Sequence, residues 1–335
     1  MELQTSPEHP MSQPINYNNI INSEEAVRAQ AAADATAGML SDDIDVSKFY
    51  ITQRYHLYTR ENHEVWRDLF DRRWAVLEHQ VSRTFIEGLR ILRLSRDRLP
   101  LLCDTTLEQD CTIADGVVLK KGTQLVGINR YLREVSDWSS YGVPGYLALK
   151  AFFACLAARQ FPTTINIRPR EVMDYLPEPD IFHDVFGHVP LHANRVFADF
   201  LQTYGRAALR CEDAEHIKRL GRLFWFTVEF GLIREDGRVK VYGSGLVSSH
   251  AESEYALKGQ WMKSDRRAHD CKPREVAEWR PFDLEMICNT DFEIDHYQPI
   301  YYVLESFEQL RDAMVEYADR VLGKGSTRVL AGAAN

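Results

Sequence analysis

Between Pro177 and Leu191 the chain reads PEPDIFHDVFGHVPL. His183 and His188 stand among Ile181, Phe182, Val185, Phe186, Val189 and Leu191, so both imidazoles are offered to apolar surroundings. A single histidine in such a place is more often a satisfied core residue than a ligand. Two in so short a segment, with Asp180 and Asp184 beside them, point instead to a metal-binding pair. Five residues along a straight α-helix leave two side chains about 140° apart around the axis, so an unbroken helix could not present both rings to one ion. Gly187 and Pro190 are therefore expected to end or bend the helix and swing the second ring back. The spacing also differs from the His-Glu-x-x-His arrangement of zinc proteases, and no Glu follows the first His, which disfavours a zinc hydrolase.

A third ligand is offered by Leu223 to Leu232, LFWFTVEFGL, where Glu229 is the only charged group in an apolar, aromatic-rich helical run. An ionised carboxylate there costs several kcal/mol unless it meets a cation or a metal. A salt bridge to a buried arginine is the plainer explanation; two histidines and one carboxylate, however, make the facial triad that leaves adjacent positions open on iron(II). Such a site suits oxygen activation rather than electron transfer.

Working outward, helical spacing dominates. Val65, Trp66, Leu69, Phe70, Trp74, Leu77, Val81, Phe85 and Leu89 recur at steps of three and four, as in a long amphipathic helix. Residues 146–160 are almost wholly Ala, Leu and Phe, a buried helix; residues 207–232 carry another, and Val303, Leu304, Phe307, Leu310, Met314, Tyr317 and Val321 a last one. Strand signals are few, the best being Arg238 to Tyr242 after an Asp236-Gly237 turn, and residues 104–127 lose the helical period and suggest a hairpin or irregular insertion. The fold class is mainly α with a small β component. Residues 1–47, poor in aromatics, are expected to form a disordered extension, 48–323 the catalytic domain, and 324–335 a flexible tail.

Composition narrows the function classes. With 335 residues and 45% hydrophobic content the chain can bury a sizeable core. Its formal charge of -9 is spread along the chain without a Lys or Arg block, so nucleic acid and anionic membrane are poor partners. Cys103, Cys111, Cys155, Cys211, Cys271 and Cys288 form no close pairs, which fits reduced thiols in a cytoplasm. Neither a leader peptide nor a run of eighteen apolar residues is present, so a soluble cytoplasmic protein is expected.

These residues carry a resemblance. PEPDIFHDVFGHVPL, FWFTVEFGL and the stretch YGSGLVSSHAESEY from Tyr242 to Tyr255 together resemble the catalytic domain of the pterin-dependent aromatic amino acid hydroxylases, and among them the bacterial phenylalanine 4-hydroxylase branch. The likeness runs from about Asn62 to about Ala318. It implies a helical basket around a mononuclear iron site, with His183, His188 and Glu229 as ligands. It further implies that Arg168, in INIRPRE, pairs with the substrate carboxylate, a contact suited to a guanidinium fork. Ser248 would support the first iron histidine and the substrate, and Pro179, Asp180, Trp225, Phe230 and Gly245 would wall the aromatic pocket. Gly145, Leu147, Phe152 and Asp184 fall at the pterin site, while Ala148 and Leu149 replace serines of the animal enzymes. The implied activity is ring hydroxylation of a free aromatic amino acid, L-phenylalanine to L-tyrosine, by a monomer using dioxygen, Fe(II) and tetrahydrobiopterin or a related tetrahydropterin. Trp225 and Ile294 favour phenylalanine, and the alternative is the same chemistry on tryptophan or at the meta position, since pocket changes of this size are worth only about 1–3 kcal/mol.

Overall fold

The structure, a computed structural model, describes residues 23–37, 44–173, 179–262 and 272–323. Twelve α-helices are found among them: α1 (Ser23–Asp34), α2 (Arg60–Gln80), α3 (Arg83–Leu92), α4 (Ile128–Ser136), α5 (Leu149–Ala157), α6 (Val189–His192), α7 (Arg195–Arg210), α8 (Ala214–Phe224), α9 (Ser244–Ser248), α10 (His250–Leu257), α11 (Leu284–Cys288) and α12 (Phe307–Leu322). Two π-helical segments, Phe182–His188 and Trp225–Glu229, lead into α6 and out of α8. The mainly α reading with a small β component holds.

Helix starts follow side-chain chemistry. Thr59 and Asn62 form a reciprocal capping box on α2, each side chain accepting the other's backbone N–H. Helix α2 then buries Val65, Trp66, Leu69, Phe70 and Leu77. The periodic run expected to be one helix is two. Val81 is extended, Ser82 donates its N–H to Val241 O at 2.9 Å, and the Ser82 hydroxyl caps α3 through Phe85 N–H. Trp74, expected in the core, is 51% exposed.

The strands are β1 (Thr105–Thr106), β2 (Cys111–Thr112), β3 (Val118–Leu119), β4 (Gln124–Leu125), β5 (Ser139–Val143), β6 (Gln160–Thr164), β7 (Leu232–Glu235), β8 (Arg238–Val241), β9 (Gln260–Trp261), β10 (Glu278–Pro281) and β11 (Ile300–Leu304). Five of them form one sheet in the order β8-β7-β11-β10-β9, with β7 and β8 antiparallel across the Asp236-Gly237 turn and the other pairings parallel. Residues 104–127 are nested hairpins, β1 with β4 outside and β2 with β3 inside; Asp115 and Gly116 at the inner turn both have left-handed φ, as Asp-Gly turns require. Strands β5 and β6 pair in parallel on either side of α5.

Two expectations are corrected. Val303 and Leu304 belong to β11, IYYVL, which is buried at every position; the helix starts only after Ser306, whose hydroxyl accepts Gln309 N–H. Residues 1–47 were expected to be a disordered extension, yet α1 packs on the core through Ala29 and Ala33, and Glu25 Oε1 accepts both the N–H and the hydroxyl of Thr52 at 2.9 Å. Small alanine side chains let α1 lie close with little apolar signal in the sequence.

One close approach bears on the site. Helix α3 crosses α6 at Gly88, where a Cβ would collide with the Pro190 carbonyl. Only glycine lets this helix press against the turn that follows His188. Among the described residues the cysteines are free thiols, all buried except Cys103, as their scatter suggested; Cys271 lies outside the described residues. No described helix is long and apolar enough to cross a membrane.

Candidate active site

The π geometry of Phe182–His188 solves the spacing problem differently from the expected bend. In a π-helix the hydrogen bonds join residues i and i+5, so side chains five apart lie over one another on a single face. The Val189 N–H bonds to Asp184 O, and His183 and His188 consequently project together. Gly187 serves packing: a Cβ there would sit 3.1 Å from Ser244 O on α9. The second π segment has the same register, with Phe230 N–H bonded to Trp225 O at 2.9 Å, and delivers Glu229 from the opposite side.

The three candidate ligands converge. His183 Nε2 and His188 Nε2 are 3.2 Å apart, Glu229 Oε1 lies 3.2 Å from His188 Nε2, and Glu229 Oε2 lies 3.6 Å from His183 Nε2. All the ligand atoms fall within 4.8 Å of one another, with the two imidazole planes 85° apart. The surroundings fix which ring nitrogens face inward. Ser248 donates its hydroxyl proton to Ser244 O at 2.7 Å, so its oxygen is left to accept from His183 Nδ1 at 3.0 Å. With the proton on Nδ1, His183 turns a lone pair on Nε2 toward the centre, the tautomer a metal ligand needs.

Glu229 is steadied by the Ser244 hydroxyl, which donates to Oε2 at 2.6 Å. Burial acts to raise its pKa, but His188, His183 and Ser244 prevail and hold it at about 2. Burial lowers His183 to about 4; on His188, the more buried of the two, burial also acts downward, but Glu229 against it outweighs this and the pKa is raised. A carboxylate that stays ionised beside a neutral imidazole is the donor chemistry of a divalent cation site.

Arg168 and Asp180 make a second buried unit. Asp180 is 0% exposed: its Oδ2 accepts from Arg168 Nε at 2.8 Å and the Arg168 backbone N–H at 2.9 Å, and its Oδ1 accepts from Arg168 Nη2 at 2.9 Å and the His183 backbone N–H at 3.0 Å. Its carboxylate therefore anchors the arginine and the start of the first π segment rather than facing a ring. Trp225 stacks on Phe292 at 4.3 Å and 13° and leans on Phe230 at 4.5 Å. Gly245 lies under Phe230, where a Cβ would stand 3.0 Å from the ring edge, and Pro179 is half-buried beside Asp180. Of the residues expected at the pterin site, Phe152 meets Phe224 edge-on at 5.7 Å, and Phe224 in turn lies 6.5 Å from the His188 ring. Gly145 and Leu147 are half-buried on the segment entering α5. Asp184 is turned inward, accepting Thr164 N–H at 2.6 Å, and burial lifts its carboxyl to about 7.

Sequence reasoning missed Ser244, Phe292 and Gln298. Ser244 had a faint signal, being one helical turn before Ser248; Gln298, which accepts the Trp225 indole N–H at 3.0 Å, had none. A groove of about 1050 Å³ between α3, α4 and the β7–β8 hairpin contains none of these residues, and its basic and acidic side chains balance in number. Nothing in it converges on a ligand, so the triad is the better candidate for chemistry.

Ser248→Ala is expected to leave the fold intact but free the His183 ring, weakening metal affinity by about 10- to 100-fold. Competition with a chromophoric chelator measures this; affinity unchanged within twofold would mean that Ser248 does not orient the ring.

Comparison with known proteins places the chain among relatives. The sequence pattern of the biopterin-dependent aromatic amino acid hydroxylase family matches residues 53–326. A phenylalanine-4-hydroxylase of Ralstonia nicotianae is 37% identical over 265 residues, covering 79% of this chain and 72% of that protein. The enzyme of the same name from Chromobacterium violaceum is 35% identical over 80% of this chain and 78% of its own length. A crystal structure of the Chromobacterium violaceum phenylalanine hydroxylase with bound iron(III) and the oxidised cofactor 7,8-dihydrobiopterin superposes with a TM-score of 0.67 at 33% identity, covering 88% of this chain and 92% of that one. With a converging pair of histidines and a carboxylate among its described residues, and a family match over residues 53–326, the chain belongs to the biopterin-dependent aromatic amino acid hydroxylase family.

Proposed function

We propose that this chain hydroxylates L-phenylalanine to L-tyrosine, with iron(II) held by His183, His188 and Glu229 inside a helical basket formed by the two π segments and the helices around them. The observation that carries the reading is the convergence of three donor atoms within 4.8 Å, on a face where the His183 tautomer is already fixed. Two neutral imidazoles and one carboxylate would leave a single positive charge on a bound divalent ion and positions open for other ligands. When bound, iron(II) with a tetrahydropterin activates dioxygen and supplies the two electrons that reduce its second oxygen atom to water.

The chain's own residues place and shield the reactants. Arg168, its Nε–Nη2 edge taken by Asp180 and one Nη1 N–H by Met173 O at 3.3 Å, keeps a fixed orientation in which the second N–H groups of Nη1 and Nη2 receive the amino acid's carboxylate. Trp225, Phe230, Gly245 and Pro179 wall the ring, and Glu229, four residues after Trp225 on the same π segment, ties that wall to the metal. Apolar walls also keep water from the site during the reaction. Gly145, Leu147 and Phe152 offer a backbone edge and an aromatic ring to a flat pterin, and the Asp184 carboxyl holds the Thr164 backbone beneath it. The surrounding catalytic body spans residues 48–323, with α1 added on its flank.

Protein purified without oxygen and supplied with phenylalanine, tyrosine, tryptophan and tetrahydrobiopterin tests the proposal. Iron near one equivalent and para-tyrosine as the main product, identified by mass spectrometry, are expected. A main product of meta-tyrosine or hydroxytryptophan would overturn the substrate assignment, and a zinc-only protein without pterin oxidation would overturn the chemistry.

A further inference from the structure

Trp225 is placed against the substrate ring under the function proposed above, and the following rests on that reading. Its indole is stacked on Phe292, touches the tilted ring of Phe230, and is held at its edge by one polar contact. That contact is Gln298, which is 1% exposed. Its Oε1 accepts the indole Nε1–H at 3.0 Å, while its Nε2 donates to Glu293 O at 2.7 Å and to His296 O at 3.3 Å. The indole can only donate and backbone carbonyls can only accept, so all three partners demand the same amide orientation. The Gln298 backbone is fixed as well: its N–H donates to Glu252 Oε1 at 3.1 Å, and the same oxygen receives the Tyr301 hydroxyl at 3.1 Å.

We propose that Gln298 is a positioning residue for ring recognition, acting through Trp225. The loop carbonyls of Glu293 and His296 hold the side-chain amide, the carboxylate of Glu252 holds the Gln298 backbone, and the amide holds the indole. The same loop presents Ile294, 73% exposed, between the two carbonyls that Gln298 binds. A side chain reaching from the loop to the π segment of Glu229 thus makes the orientation of Trp225 depend on a region distant in sequence. Loss of the amide leaves a half-buried indole N–H without its acceptor, and the ring turns to find another. The substrate ring then sits less accurately before the metal, so that pterin is consumed without hydroxylation.

The test compares Gln298→Leu, Trp225→Phe and the double variant as iron-loaded enzymes. For Gln298→Leu the KM for phenylalanine is expected to rise roughly tenfold and the tyrosine formed per tetrahydropterin consumed to fall, while iron content and the KM for tetrahydropterin hold. In the Trp225→Phe background, which has no indole N–H to orient, the same substitution is expected to change both quantities by less than about twofold. A purely structural amide would lower melting temperature and the yield of active enzyme but leave KM and the coupling ratio at wild-type values. That result, or equal effects in both backgrounds, overturns the proposal. If Gln298→Leu does not fold, Trp225→Phe alone decides, because removal of the N–H without an altered KM or coupling ratio has the same consequence. Failure of the functional reading looks different, since the wild-type enzyme would then form no tyrosine with iron bound.

Discussion

Glu229→Gln is expected to give a folded protein that purifies almost free of iron and makes tyrosine more than 100-fold more slowly than wild type. The size follows from what the substitution removes. Loss of a partner outside the coordination shell costs about 10- to 100-fold; this variant loses a ligand and the negative charge that balances the ion. With its oxygen kept on the Ser244 side, the amide also brings two N–H donors to the position of Oε1, 3.2 Å from His188 Nε2, where a metal ligand must offer a lone pair. Ser244 can still donate to an amide oxygen, so the segment retains its anchor and the fold should persist. Metal analysis after anaerobic purification, with a coupled tyrosine assay and a circular dichroism spectrum, reads all three quantities. Iron at wild-type stoichiometry in this variant would remove Glu229 from the ligand set.

Asp180→Ala is expected to lower the melting temperature by on the order of 10 °C and to raise the KM for phenylalanine. Removing one member of a buried ion pair leaves an uncompensated charge, at a cost of about 3–5 kcal/mol. Here the stranded cation is Arg168, itself buried, and the His183 backbone N–H loses its acceptor as well. The pH dependence has a definite sign. Burial acts to raise the Asp180 pKa, but Arg168 outweighs it and the carboxyl lies below its ordinary value. A depressed folded pKa means that the stabilisation is complete above the unfolded value of roughly 3.9 and lost as pH falls through the folded one. The gap in melting temperature between wild type and variant should therefore hold from neutral pH to about 4 and close below it. A gap that widens with acid, or a variant melting within 1 °C of wild type at neutral pH, would contradict the pairing.

The chemistry of the site was legible in the sequence because burial makes polar residues conspicuous. Glu229 alone in LFWFTVEFGL, and two histidines in an apolar stretch, could each be flagged from desolvation cost. Their geometry was not legible: whether a helix closes its bonds at i+4 or i+5 depends on packing around it, here the approach of Gly187 to Ser244, and no residue type encodes that choice. The fold was readable to a similar depth. Helical period found α2, α3 and α12, but the break at Ser82 is made by a partner more than 150 residues away, the Val241 carbonyl. Strand β11 passed for helix because an unbroken apolar run has no period by which to tell the two apart. Helix α1 escaped notice since its buried face is alanine, and Gln298 since an amide acquires meaning only from the groups it meets.

The paired π segments also make spacing as unforgiving as identity. Letting the seven residues from 182 to 188 relax to ordinary α geometry without losing one would rotate everything downstream by roughly 100°. His188 would then face the packed interior while every ligand was still spelled out in the sequence. Surface hairpins such as 104–127 can gain or lose residues at small cost. In the two π windows, by contrast, the number of residues is matched to a wider turn, so a residue gained there displaces a ligand.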